Sequence, residues 1–198
     1  MAKIDWDYPE QGSGTSRVVS ELIGPGATRA EIVLVSLSGI LGGVGLILYQ
    51  YFVGLGWSLL QLIVGAIVAF DIGGGVVANS TSTAKRWYHR KEQGFKQHFG
   101  FILLHFIHPL LITVFFTTFD WIYFFTVYGY LLVSSLIVLG IPLYLKRPVS
   151  VLMVSIAVIL NAYIISPIPG FEWFIPIFML KLVTGHIVRE EPYRPDTD

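Results

Sequence analysis

A chain of 198 residues that is 54% hydrophobic and only 13% charged is not a soluble domain, in which charged residues reach about 25%. Its formal net charge of zero excludes the strongly basic balance of a nucleic-acid binder. With no cysteine in the chain, disulfide staples, thiolate metal sites, iron–sulfur clusters and cysteine nucleophiles are excluded as well.

Residues 1–14 are polar and of mixed charge and read as a disordered tail. They lack the apolar core and small-residue cleavage site of a signal peptide. Ser16 to Ile23 put Val18, Val19, Leu22 and Ile23 on one side, a short amphipathic helix for the headgroup layer that Gly24-Pro25-Gly26 ends. Six apolar stretches follow, at 30–53, 57–79, 98–119, 121–145, 149–166 and 171–188. Each is near the length that ~30 Å of hydrocarbon requires at ~1.5 Å per residue.

The basic residues fix the orientation. Lys3, Arg17 and Arg29 precede the first stretch, and Lys85, Arg86, Arg90, Lys91 and Lys96 lie between the second and third. Lys146 and Arg147 separate the fourth from the fifth, and Arg189 and Arg194 follow the sixth. The alternate connections carry no Lys or Arg. The positive-inside bias therefore predicts an all-α, polytopic bundle of six transmembrane helices with both termini cytoplasmic, in the plasma membrane. The organisation is a cytoplasmic tail with its interfacial helix (1–29), a six-helix membrane domain (30–188) and a second cytoplasmic tail (189–198).

The first span carries Ser38, Gly39, Gly42 and Gly43, a doubled small-xxx-small spacing. Such a face lets backbones approach closely in lipid, within the chain or in an oligomer formed through Ser38/Gly42 and Gly39/Gly43. Trp87, Tyr88 and Phe95 in the one long inter-helix loop read as interfacial anchors beside membrane lipids, and His89 among them as a surface residue.

An ionisable side chain in mid-span costs ~2.5–3.5 kcal/mol on insertion scales and should face the interior with a partner. Asp71, His105, His108 and Lys181 all fall within ~10–15 Å of the cytoplasmic ends of their spans. The outer half offers only Asp120, Asn161 and Glu172. His98, His105 and His108 share one helical stripe, and His186 and Glu190 sit four apart. Imidazoles and carboxylates so spaced fit a divalent zinc or iron site drawn from Asp71, His98, His105, His108, His186 and Glu190. An open position on that ion would generate a hydroxide, with Asp71, His105, Lys181 and Asn79 as the catalytic set.

For several of these residues a bland role competes. His98 suits a wetted interface, His108 can serve the carbonyl freed by Pro109, and Lys181 can snorkel to the headgroups. The leading function is a metal-dependent intramembrane hydrolase or oxidase acting on a lipid-like or isoprenoid substrate. A proton- or ion-coupled transporter and a non-catalytic membrane subunit are the alternatives. A retinal Schiff base on Lys181, or haem held by His186 with His105 or His108, would be further cofactor readings.

Overall fold

In the computed structural model, residues 3–10 and 15–195 are described. The elements in chain order begin with β1 (Lys3–Ile4), α1 (Thr15–Ile23), α2 (Arg29–Val53), α3 (Leu59–Ala78) and α4 (Ser82–Tyr88). There follow α5 (Phe95–Leu104), α6 (Ile107–Phe116), α7 (Trp121–Gly140), α8 (Leu143–Tyr163), α9 (Phe174–Met179) and β2 (Tyr193–Arg194). A π-helical stretch, Leu180–His186, continues α9. The architecture is helical apart from the antiparallel β1–β2 pairing of Lys3 with Arg194 and Ile4 with Tyr193.

Five helices are long and apolar enough to cross a membrane: α2, α3, the α5–α6 pair, α7 and α8. The sixth expected span falls short. Its helical part runs only Phe174–His186, about 20 Å at ~1.5 Å per residue. Pro167, Pro169 and Gly170, whose φ is +90°, hold the preceding residues in a loop. This short helix is the most buried element. Phe174, Phe178, Met179, Leu182 and Val183 are fully enclosed, packed among α3, α7 and α8.

Two other boundaries move for a physical reason. Helix α8 begins at Leu143, so Lys146 and Arg147 lie in its first turns and not in a loop. The third span breaks at His105–Phe106. Pro109 has no N–H for the His105 carbonyl, its natural acceptor four residues back.

The small-residue face of α2 is occupied within the chain. The Ser38 hydroxyl donates to the Gly73 carbonyl at 2.7 Å, and a Cβ on Gly42 would collide with the Ala69 carbonyl of α3. Within the chain this face packs α2 against α3.

At the basic end, Glu31 ties two helices together. It completes the capping box of α2 with Thr28, and it accepts from the Thr83 amide at 3.0 Å and hydroxyl at 2.8 Å in α4. Arg194 stands 3.6 Å away. With β1 and β2 paired beside this node, residues 3–5 are not a free tail: the Asp5 amide donates to the Pro192 carbonyl at 3.0 Å. Residues 6–8 are held as well: Arg189 lies over the Trp6 ring at 4.4 Å, Arg86 donates to the Asp7 carbonyl, and the Tyr8 and Trp87 rings meet at 5.1 Å. Residues 1–2 and 11–14 of the expected tail, and the side chains of Val18 and Val19, lie outside the described residues. Ile23 is buried and Leu22 exposed.

Candidate functional site

Asp71 projects from the middle of α3, where Gly75 follows one turn later. A Cβ on Gly75 would strike the Lys181 side chain, so this glycine is the seat of the lysine stem. Lys181 Nζ reaches Asp71 Oδ2 at 2.6 Å. The same oxygen faces His108 Nε2 at 2.8 Å. Lys181 is 5% exposed and the Asp71 side chain 49%, so the cation is enclosed while the carboxylate keeps an open side. Lys181 does not snorkel.

The break at Pro109 shapes the histidines. The His105 carbonyl, which Pro109 cannot serve, accepts from the His108 amide at 3.3 Å and also faces His108 Nδ1 at 3.3 Å. Both nitrogens of His108 therefore face acceptors. His108 serves the freed carbonyl and the carboxylate together. His105 Nδ1 sits 2.8 Å from the Phe101 carbonyl, which places the proton on Nδ1 and leaves Nε2 as a lone-pair base. The His105 and His108 rings stack at 5.2 Å.

Nearer the basic end lies a second group. His98 Nδ1 and His186 Nε2 are 3.1 Å apart, and both residues are buried. The His89 ring lies 4.6 Å from that of His98. His89 is therefore packed against this group and not a surface loop residue. Burial, reinforced by His98, pushes its pKa well below the usual imidazole range. Phe101 separates the two groups, stacking on His186 at 4.0 Å and leaning on His105 at 4.5 Å. All five histidines of the chain thus form one column through the basic half of the bundle.

The expected metal ligands do not converge. Asp71 is engaged by His108 and Lys181, and His98 by His186. Glu190 turns away to Arg147 at 2.7 Å and Lys85 at 3.6 Å, so the His186–Glu190 pair does not chelate. Among the described residues no group of three His, Asp or Glu side chains is placed to hold a metal ion. The ammonium of Lys181 supplies the positive charge that the sequence argument sought from a metal. Asn79 is structural: its amide donates to the Lys181 carbonyl at 3.0 Å. Lys85 Nζ donates to the Gly185 and Val188 carbonyls at 2.6 and 2.7 Å. These side chains support the carbonyls of the π-helical stretch, the kind of irregularity found at functional sites.

Beyond Lys181 the core is aromatic. Phe178 lies 5.6 Å from His108 and stacks on Phe174 at 4.9 Å. Trp57, Phe116 and Phe171 meet at 4.6–5.6 Å further on. Asp120 caps α7, Asn161 bonds the Glu172 carbonyl, and Glu172 accepts from the Gly170 amide. The polar groups of this half hold loops.

Sequence reasoning missed His89, Phe101 and Arg90. The dense WYHR run (87–90) is the signal for His89 and Arg90, masked because aromatics are common anchors at interfaces; Phe101 carries no signal of its own. Comparison with protein-family models, curated proteins and solved structures finds no match to this chain.

Proposed function

We propose that this chain is an integral membrane enzyme, both termini cytoplasmic, that applies acid–base chemistry to a lipid-like substrate from the cytoplasmic leaflet of the plasma membrane. The reading rests on one observation: a half-open carboxylate oxygen is shared by a buried ammonium and an imidazole. The neighbouring His105 keeps a directed lone pair. The β1–β2 pairing puts residues 3–4 and 193–194 at one end of the bundle, which agrees with an even number of crossings. In this reading the short axial helix and the Pro167–Gly170 loop before it together complete the sixth.

In this reading His105 Nε2 takes the proton from water or a substrate hydroxyl, and His108 returns one to the leaving oxygen. Lys181 stabilises the negative charge that develops between them. Asp71 orients His108 and Lys181. A zinc or iron ion is no part of the proposal, because Lys181 already compensates Asp71. The other half holds aromatic clusters, Phe178 on Phe174 and Trp57 with Phe116 and Phe171, and no comparable ionisable group, which suits an enzyme better than a carrier.

The column of imidazoles favours one second reading, a proton-coupled carrier with Asp71 as its relay. Proteoliposome flux that depends on Asp71 would select it. To test the enzyme, membranes holding the wild-type chain and Asp71→Asn are incubated with a lipid extract and compared by mass spectrometry. A lipid class altered by wild type and untouched by the variant supports the reading; identical profiles overturn it.

A further inference from the structure

A groove of about 800 Å³ runs between α2 and the axial helix. One wall is Leu41, Gly45 and Tyr49, spaced by four along α2 and all exposed. The other is Trp173 and Ile177, and Ala69 and Gly73 of α3 form the floor. At 3.6 residues per turn, these two floor residues lie about 160° around α3 from Asp71. The Pro167–Gly170 loop and the helix that starts at Phe174 stand off from α2, which packs chiefly on α3. A Cβ on Gly45 would meet nothing within 4 Å, so the space beside this glycine is open.

Its dimensions select the occupant. From Ser38 to Tyr49 the groove follows α2 for ~16 Å at ~1.5 Å per residue, which matches one leaflet, half of the ~30 Å hydrocarbon core. Tyr49 lies four residues before the end of α2 at Val53, so this is the leaflet away from the β1–β2 pairing. Over that length, 800 Å³ gives a cross-section of ~50 Å². A transmembrane helix of a second copy, ~10–12 Å across, needs ~80–110 Å² and does not fit. A hydrocarbon chain, ~4–5 Å across at carbon contact distances, occupies ~20 Å². The groove takes two such chains. Its polar side chains serve the fold: Ser38 donates to the Gly73 carbonyl, and the Trp173 indole donates to the Gly170 carbonyl at 2.8 Å. Glu172 accepts from the Gly170 amide at 2.9 Å. Tyr49 stands at the mouth, the level at which tyrosines meet headgroups.

We propose that this groove binds one diacyl phospholipid, its two acyl chains lying between α2 and the axial helix and its headgroup beside Tyr49. Lipid tails are as apolar as the walls, so close packing and not the hydrophobic effect holds them. Chains walled by three helices gain contacts that fluid lipid does not offer, and their departure leaves a void. The groove and the Asp71–Lys181 group lie on different faces of α3. A lipid held here is therefore not the substrate proposed above, and its loss leaves that reading untouched.

The full-length chain is assembled in phosphatidylcholine nanodiscs, released into a mild detergent and weighed by native mass spectrometry. Gly45→Leu places a side chain in the groove. Gly129→Leu is its control, since a Cβ on Gly129 of α7 likewise meets nothing within 4 Å and lies outside the groove. One phosphatidylcholine retained per chain by wild type and Gly129→Leu, and at least tenfold less by Gly45→Leu, is the expected result. Phosphatidylcholine with brominated chains gives a second reading without altering the groove-facing glycine. The retained lipid should quench tryptophan emission, and Trp173→Phe should remove most of that quenching. The proposal is overturned by the absence of retained lipid, by equal retention in Gly45→Leu, or by quenching that Trp173→Phe leaves unchanged. A wild-type dimer that Gly45→Leu dissociates would assign the groove to a second copy and overturn it as well.

Discussion

Lys181 Nζ lies 2.6 Å from Asp71 Oδ2, although the two residues stand 110 positions apart. One is enclosed by the axial helix and the other half open. Removing the carboxylate strands a buried ammonium, and removing the ammonium strands a carboxylate whose side chain is 49% exposed. Asp71→Asn and Lys181→Met should each lower stability by roughly 2 kcal/mol, below the ~3–5 kcal/mol of a fully buried pair. The double variant should lose less than the sum of the single losses. Thermal unfolding of the three variants in one detergent measures the coupling, and strict additivity would show that the contact is energetically idle.

Gly75 and Gly45 offer a matched pair of substitutions. A methyl group at Gly75 collides with the Lys181 side chain, and one at Gly45 meets nothing within 4 Å. Gly45→Ala should be neutral or raise stability by up to ~1 kcal/mol through helix propensity. Gly75→Ala should displace Lys181, lower the melting temperature and abolish the lipid conversion proposed above. Equal behaviour of the two alanines would show that Gly75 does not seat the lysine.

The Glu31 carboxylate accepts from the Thr28 amide at the start of α2 and from the Thr83 amide in α4 at once. Glu31→Ala should cost about 1–2 kcal/mol, the scale of a lost cap. It should speed amide hydrogen exchange at Thr83 and through α4 while α7 stays protected. Uniform acceleration across the bundle would instead mean global loosening.

Burial pushes Lys85 from its ordinary value of 10.5 down to about 8, opposed by Glu190 and assisted by Arg147. Between those values the unfolded chain holds the proton and the folded chain does not, so stability rises with pH. The cost of charging Lys85 in the fold is complete below about pH 8 and relieved as pH approaches 10.5. The melting temperature of wild type relative to Lys85→Met should therefore climb from pH 8 to pH 10. A flat difference across that window would contradict the burial.

Apolar length and the distribution of basic residues made the long helices α2, α3, α7 and α8 legible, because both are additive along the chain. The depth argument also placed Asp71, His105, His108 and Lys181 in one layer, and three of these groups do meet. Their chemistry was not legible. Depth alone does not say that Lys181 supplies the charge beside Asp71, since that depends on the missing side chain of Gly75. The short axial helix was lost because hydropathy counts Phe171 and Val188 as readily as Phe178, while the Pro167–Gly170 loop sets where the helix begins. The role of His89 was hidden because its partner His98 lies across the loop, at a distance that no helical periodicity encodes.

The proposed enzyme requires that Asp71 be reached from the cytoplasmic side alone. The chain has no native cysteine, so Asp71→Cys carries a single thiol. Membrane-impermeant methanethiosulfonate, applied to inside-out and right-side-out vesicles, reads which face reaches it. Modification in inside-out vesicles alone is the predicted result; modification from the outer face, or from neither, contradicts it.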